Sequence, residues 1–259
     1  MIILTGPTAV GKTKLSISLA QAVNGAIISA DSMQVYRHMD IGSAKIRPEE
    51  MCGVPHYLID VLDPSEEFHV VKFVELAHEA MEKIYAAGQI PIVTGGTGFY
   101  IQALLKEVDF TESHGELPIR KQLEEKAATE EGAAELYREL SEVDPASAET
   151  IHPNNVKRVI RALEYYHETG QKISEHNEEQ KQKESPYCSA YFVLNDERSI
   201  LYDRIDRRVD QMICDGLVDE VFRLKEMGYT RDLVSMQGLG YKELFPYLAG
   251  ECTLEEAVY

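Results

Sequence analysis

Positive charge is scarce in this 259-residue sequence: 26 lysines and arginines stand against 44 aspartates and glutamates, a formal net charge of −18. Nucleic-acid backbones are bound by Lys and Arg, so the balance argues at first sight against an RNA partner. Much of the acid is local, however. Residues 112–149 carry Glu124, Glu125, Glu130, Glu131, Glu135, Glu139, Glu142 and Asp144 against only Arg120, Lys121, Lys126 and Arg138, which reads as a solvated helical face. No apolar run reaches the roughly 18 residues of a membrane helix, and no charged-then-apolar leader precedes the first strand, which predicts a cytoplasmic protein with no membrane partner. Cys52, Cys188, Cys214 and Cys252 are scattered without C-x-x-C spacing, which argues against a zinc site or a disulfide framework. Histidine pairs with metal spacing are absent, and so is any Ser/His/Asp or Cys/His nucleophile set. Internal repeats and long low-complexity linkers are absent too.

The strongest signal lies at the start. An apolar strand from Ile2 to Thr5 runs into Gly6-Pro7-Thr8-Ala9-Val10-Gly11-Lys12-Thr13, a G-x-x-x-x-G-K-T loop. Its glycines let successive backbone N–H groups turn toward one anion, its lysine reaches the outer phosphates, and its threonine hydroxyl can hold magnesium. Leu15, Leu19 and Ala20 follow at helical spacing, so the phosphates would sit on a helix N-terminus, where orphan N–H groups favour negative charge. A polyphosphate ligand follows. Whether a phosphate is transferred, or something attached to it, does not.

Short β-branched runs at 2–5, 26–29, 57–61, 90–94 and 190–194 alternate with helical patterns, which predicts a P-loop NTPase-like α/β fold with a doubly wound parallel sheet. Ligands of such sheets bind beyond the carboxyl ends of the strands. Between about 111 and 186 the text turns helical and charged, with breaks at Pro118, Gly132, Asp144-Pro145, His152-Pro153 and Gly170. The expected division is a discontinuous core, 1–112 with 187–259, and a helical insertion, 113–186. At the C-terminus, Thr253-x-x-Glu256 is a capping box opening a helix, yet Tyr259 follows in fewer than two turns. A helix so short is unstable alone, so a further C-terminal segment is expected.

Asp31-Ser32-Met33-Gln34 follows the second strand. An ionised carboxylate there can take a proton from a nucleophile held beside it, or it can cap the next turn. Thr94-Gly95-Gly96-Thr97-Gly98 follows the fourth strand and reads either as a close approach of backbone and hydroxyl to a ligand or as a capped turn. Asp60 and Asp63 fit an outer magnesium ligand or loop capping. Leu201, Ile205, Val209 and Met212 form a helical stripe, with Arg208 at its edge, about 20° around the wheel from Leu201. Arg208 should be half-buried, as a phosphate clamp or in a salt bridge to Asp203, Asp206 or Glu197. In the helix after Pro153, the basic residues Lys157, Arg158 and Arg161 face away from Val156, Val159, Ile160 and Leu163. They form either a solvated face or a nucleic-acid contact, which Arg37, Lys45 and Arg47 could extend.

Taken in order, several of these runs carry a pattern. Residues 6–13, then Ser29-Ala-Asp-Ser-Met-Gln-Val-Tyr-Arg37 with Met39-Asp-Ile-Gly42, and Gly95-Gly-Thr-Gly98 resemble the tRNA dimethylallyltransferases, also called tRNA isopentenyltransferases or the IPP transferase family. So do Arg158-Val-Ile-Arg-Ala-Leu-Glu164 with Thr169-Gly170, Arg207-Arg-Val-Asp-Gln-Met212, and Gln237-Gly-Leu-Gly-Tyr-Lys-Glu243. The resemblance implies that the loop holds dimethylallyl diphosphate rather than ATP, and that the allylic carbon alkylates the exocyclic amine of the adenosine just 3′ of the anticodon of a tRNA. That base must leave its stack to reach the site. By similarity Asp31 is the general base, Thr97 and Arg208 surround the reacting groups, and Lys12, Thr13 and magnesium neutralise the leaving diphosphate. Asp31, Ser32, Met33, Gln34, Lys157, Arg158 and Arg161 would contact the tRNA anticodon stem-loop. Family members also carry a basic C-terminal stretch, and the expected enzyme is a monomer. The rival reading is a P-loop small-molecule or nucleotide kinase with the insertion as its lid. The acidity of the insertion weighs against it, because a lid closing on ATP brings arginines.

Overall fold

The computed structural model describes residues 1–109 and 118–258. The chain runs β1 (Ile2–Thr5), α1 (Lys12–Val23), β2 (Gly25–Ser29), β3 (His56–Tyr57), α2 (Val70–Ala86), β4 (Ile90–Gly95) and α3 (Gly98–Lys106). It continues through α4 (Pro118–Lys126), α5 (Glu130–Val143), α6 (Pro145–Thr150), α7 (Val156–Thr169) and α8 (Ile173–Gln182). The last elements are β5 (Ala190–Val193), α9 (Arg198–Cys214), α10 (Leu217–Glu226), a 3-10 turn (Ser235–Gln237), α11 (Leu244–Ala249) and α12 (Leu254–Val258). Two units separate: Met1–Leu105 with Tyr187–Tyr259, and Lys106–Pro186. None of the described helices is long and apolar enough to cross a membrane.

The first unit is built on a five-stranded parallel sheet of order β3-β2-β4-β1-β5. Successive side chains of a strand point to opposite faces, and both faces of β1, β2 and β4 are covered, which is why these strands read as continuous apolar runs, whereas the edge strand β5 is exposed. Ile3, Ile28 and Val93 point into one core with Phe73, Ala77 and Ile84 of α2. Ile27 and Ile92 point into the other with Ala20 of α1. Each fully buried Ile contributes about 1.5–3 kcal/mol. Because β4 lies between β1 and β2, the loops after all three emerge side by side. Backbone bonds from Ala30 N to Thr94 O (2.8 Å) and from Leu194 N to Thr5 O (2.8 Å) lock those strand ends together.

One strand is shorter than its sequence suggests. Only His56 and Tyr57 pair with β2, because Leu58 (φ 62°) and Asp60 (φ 56°) take left-handed conformations that turn the chain out of the ladder. The second unit packs Leu123, Leu136, Leu140, Val159, Ile160 and Leu163 into its own core. Its helix boundaries follow the expected breaks with one exception. Asp144 ends α5 and caps α6, accepting from Ser147 N (3.1 Å), with Pro145 in the first turn. Gly170 ends α7 at φ 70°. Gly132, however, lies inside the first turn of α5, where Thr129 caps its N–H. It is a close approach rather than a break, since a side chain there would run into the Lys126 carbonyl.

Candidate active site

The loop after β1 turns through two left-handed residues, Ala9 (φ 64°) and Gly11 (φ 94°), before α1 begins at Lys12. Lys12 and Thr13 thus occupy the first turn of a helix, whose N–H groups have no partner within the helix. The Lys12 ammonium donates to the carbonyls of Gly6 (2.8 Å) and Pro7 (2.7 Å), which clasps the loop into a ring. The Thr13 hydroxyl makes no hydrogen bond among the described residues.

A cavity of about 1270 Å³ opens over this loop, within the first unit alone. Thr8, Ala9, Gly11, Lys12 and Thr13 line one wall, whereas Gly6, Pro7 and Val10 shape the loop without lining the cavity. Asp31, Ser32, Met33 and Gln34 line a second wall, and Gly96 and Thr97 lie between. Arg208 enters from α9. Four separate segments, 8–13, 31–34, 96–97 and 208, therefore meet in one space.

Asp31 caps the turn that follows it: Oδ1 accepts from Met33 N (2.8 Å) and Gln34 N (3.3 Å). Its Oδ2 makes no hydrogen bond among the described residues. Capping by one oxygen thus leaves the other free on a residue that lines the cavity. Thr97 starts α3 through its backbone, its carbonyl accepting from Tyr100 N (3.0 Å), and its hydroxyl bonds to no described residue. Arg208 is half-buried at the edge of the stripe and has no ion-pair partner among the described residues, whereas the exposed Arg204 pairs with Asp196 at 3.0 Å. Burial pushes the Lys12 ammonium below the ordinary lysine range; the Asp31 carboxylate pulls it back up and the Arg208 guanidinium pushes it further down. Both charges thus act on Lys12.

Apolar residues complete the cavity. Phe68 and Tyr100 line it together with Val209, Met212 and Leu217. The two rings are held edge to face at 5.6 Å, and Tyr100 stacks on Phe73 at 4.9 Å. No motif marks Phe68 or Tyr100; the one hint in the sequence is their place beside the strand-end loops.

Other sequence candidates fall elsewhere. Lys45 is not a surface cation: its side chain is 4% exposed, bonded to Tyr36 O (2.7 Å), Asp40 (2.6 Å) and Asp60 (2.5 Å). Asp63 is a cap, accepting from Ser65 N (2.9 Å) and from the Tyr229 hydroxyl (2.9 Å). Asp60 is the partner of Lys45. Among the described residues no group of His, Cys, Asp or Glu side chains clusters to hold a metal. Lys157, Arg158 and Arg161 lie on α7 in the second unit; the first two are exposed, whereas Arg161 pairs with the buried Glu164 at 2.9 Å.

The family model described as IPP transferase matches residues 34–259. The chain belongs to the IPP transferase family. The matched range begins just after Asp31, so the phosphate loop lies outside it, but similarity to individual relatives extends over the whole chain. It is 65% identical over 259 residues to the tRNA dimethylallyltransferase of Lachnoclostridium phytofermentans, covering all of this chain and 82% of that one. The crystal structure of the full-length tRNA isopentenylpyrophosphate transferase from Bacillus halodurans superposes with a TM-score of 0.71 at 47% identity, covering 99% of this chain and 80% of the other. A structure of a eukaryotic dimethylallyltransferase acting on tRNA gives a TM-score of 0.84 at 36% identity, covering all of this chain and 65% of that one. With this family membership, the α/β fold of β1 to β5 is that of a tRNA prenyltransferase.

Proposed function

We propose that this IPP transferase moves a dimethylallyl group from dimethylallyl diphosphate to the exocyclic amine of the adenosine 3′-adjacent to the anticodon in a tRNA, releasing diphosphate. The observation that carries the reading is a single cavity lined by a carboxylate, Asp31, and two cations, Lys12 and Arg208, beside an apolar lining that includes Phe68 and Tyr100. Relatives named tRNA dimethylallyltransferase favour it over a kinase reading.

The chemistry follows from what the transfer needs. An adenine amine is a weak nucleophile, and an allylic carbon leaves diphosphate readily only if the departing negative charge is stabilised. The loop N–H groups, Lys12 and Arg208 bind the diphosphate, and the apolar lining takes the hydrocarbon. As the amine nitrogen forms its bond to the allylic carbon, the carbon–oxygen bond breaks and its electron pair leaves with diphosphate. The amine proton passes to Asp31 Oδ2, the oxygen not engaged in the turn. The Thr97 hydroxyl, free of protein partners, is available to either reactant. Magnesium fits beside Thr13, whose hydroxyl has no described partner and which sits in the first turn of α1; Thr13 would hold it together with diphosphate oxygens, adding positive charge at the leaving group.

The exposed Lys157 and Arg158 of α7 are the cations we assign to the anticodon stem-loop, with residues 31–34 receiving the extruded base. The test is an unmodified anticodon stem-loop incubated with dimethylallyl diphosphate and digested to nucleosides. Prenylation of the adenosine next to the anticodon is expected. Prenylation elsewhere, or none, would sink the assignment.

A further inference from the structure

The most buried unneutralised carboxylate of the first unit lies behind the cavity wall. Glu220 of α10 is 2% exposed. Its Oε2 accepts from the backbone N–H of Asp40 (3.0 Å) and Ile41 (2.8 Å), and its Oε1 from Gly42 N (3.1 Å) and the Tyr241 hydroxyl (2.7 Å). No lysine or arginine pairs with it among the described residues. A buried carboxylate is tolerated only where hydrogen bonds replace water, and here successive N–H groups of one turn converge on it as they would on a bound anion. Burial, and after it the charge of Glu220, push the Tyr241 hydroxyl far above the ordinary tyrosine range, so it remains a donor.

What these bonds hold is the wall that carries Asp31. The turn at 40–42 continues into Ser43 and Ala44, which line the cavity and whose carbonyls accept from Gln34 Nε2 at 3.3 and 3.4 Å. Gln34 N in turn donates to Asp31 Oδ1. A second route runs through side chains. The Tyr241 ring lies against Gly42, where an added Cβ would come within 2.6 Å of ring carbons, and Gly238 lies against the tip of Met33. Both sides of the segment from Met33 to Ala44 are thus held from the C-terminal part of the unit.

We infer that Glu220, with Tyr241, is a positioning residue for the acceptor side of the cavity: it fixes the 40–44 turn and, through Gln34, the Asp31 carboxylate, independently of the phosphate loop. The inference rests on the prenyl-transfer reading for its kinetic consequence and on geometry alone for its structural one, so two measurements separate them. In the full chain, Glu220→Gln keeps the shape but presents an amide N–H to backbone N–H groups. A misplacement of this kind costs about 10- to 100-fold in turnover. We expect kcat with stem-loop to fall by about that factor while the affinity for inorganic pyrophosphate, titrated calorimetrically, stays within about twofold. Tyr241→Phe, which keeps the ring on Gly42 and removes one bond, should give the same split at about threefold, and it decides the matter if Glu220→Gln does not fold. Amide hydrogen exchange at Met33 and Gln34 should quicken in either variant. Unchanged kcat, or pyrophosphate affinity falling in step with kcat, overturns the kinetic role. Unchanged exchange at Met33 and Gln34 overturns the inference altogether. Loss of transfer by the unaltered protein would instead count against the prenyl-transfer reading.

Discussion

Asp31 has two jobs on two oxygens, and substitutions can separate them. Oδ1 accepts from Met33 N (2.8 Å) and Gln34 N (3.3 Å), whereas Oδ2 has no partner among the described residues. Asp31→Asn retains an oxygen for the turn but removes the negative charge and the capacity to take a proton. Asp31→Ala removes both. Losing the capping bonds costs about 0.5–2 kcal/mol of stability. Losing a general base costs about 100- to 10,000-fold in rate, or roughly 2.7–5.4 kcal/mol of transition-state stabilisation. Single-turnover transfer from saturating dimethylallyl diphosphate to a stem-loop, read beside thermal unfolding, should therefore show both variants slowed by at least about 100-fold. Only Asp31→Ala should also melt earlier. If Asp31→Asn turns over at the unaltered rate, Asp31 is a turn cap and the proton leaves by another route.

Lys12 is held below the ordinary lysine range first by burial, with Asp31 raising it and Arg208 lowering it, so its charge is complete at low pH and lost as pH rises through that depressed value. Pyrophosphate affinity should accordingly fall on an alkaline limb, and that limb should move to lower pH in Asp31→Asn, where the raising influence is gone; an unmoved limb would assign it to another group. Lys157→Ala with Arg158→Ala removes two exposed cations of α7 without touching the buried Glu164, and should lower the slope of log affinity for tRNA against log salt by about 0.7–0.9 per lost contact. An unchanged slope returns that face to ordinary solvated surface. Leu136→Ala empties a fully buried position in the core of the second unit, and should cost about 2–5 kcal/mol on denaturant unfolding. A cost below about 1 kcal/mol would mean that this core is not well packed.

Much of the fold was legible because its signals are local. The apolar runs of β1, β2 and β4 are buried on both faces, and each ends in a loop with glycine or aspartate at the cavity side. The third strand misled, since Tyr57 to Val61 reads as extended while Leu58 and Asp60 adopt positive φ, which aspartate tolerates but which is rare for leucine. Arg208 was legible from helical phase alone. Lys45 was not, because no regular periodicity in its loop hints that Tyr36, Asp40 and Asp60, which lie 9, 5 and 15 residues away, converge on it. Glu220 is invisible because its contacts are long-range: three of its partners are backbone N–H groups about 180 residues earlier in the chain. Arg161 shows the limit of reading a helix face by charge, since its partner Glu164 is buried beneath it.

In this account the phosphate loop grips a leaving group and transfers nothing of it. Dimethylallyl diphosphate labelled with tritium in its hydrocarbon and with radioactive phosphorus in its diphosphate tests that claim directly. After reaction with an unmodified anticodon stem-loop, the tritium should appear in the RNA and all of the phosphorus label in free inorganic pyrophosphate. Phosphorus label in the RNA, or transfer only when ATP is the labelled donor, would contradict it.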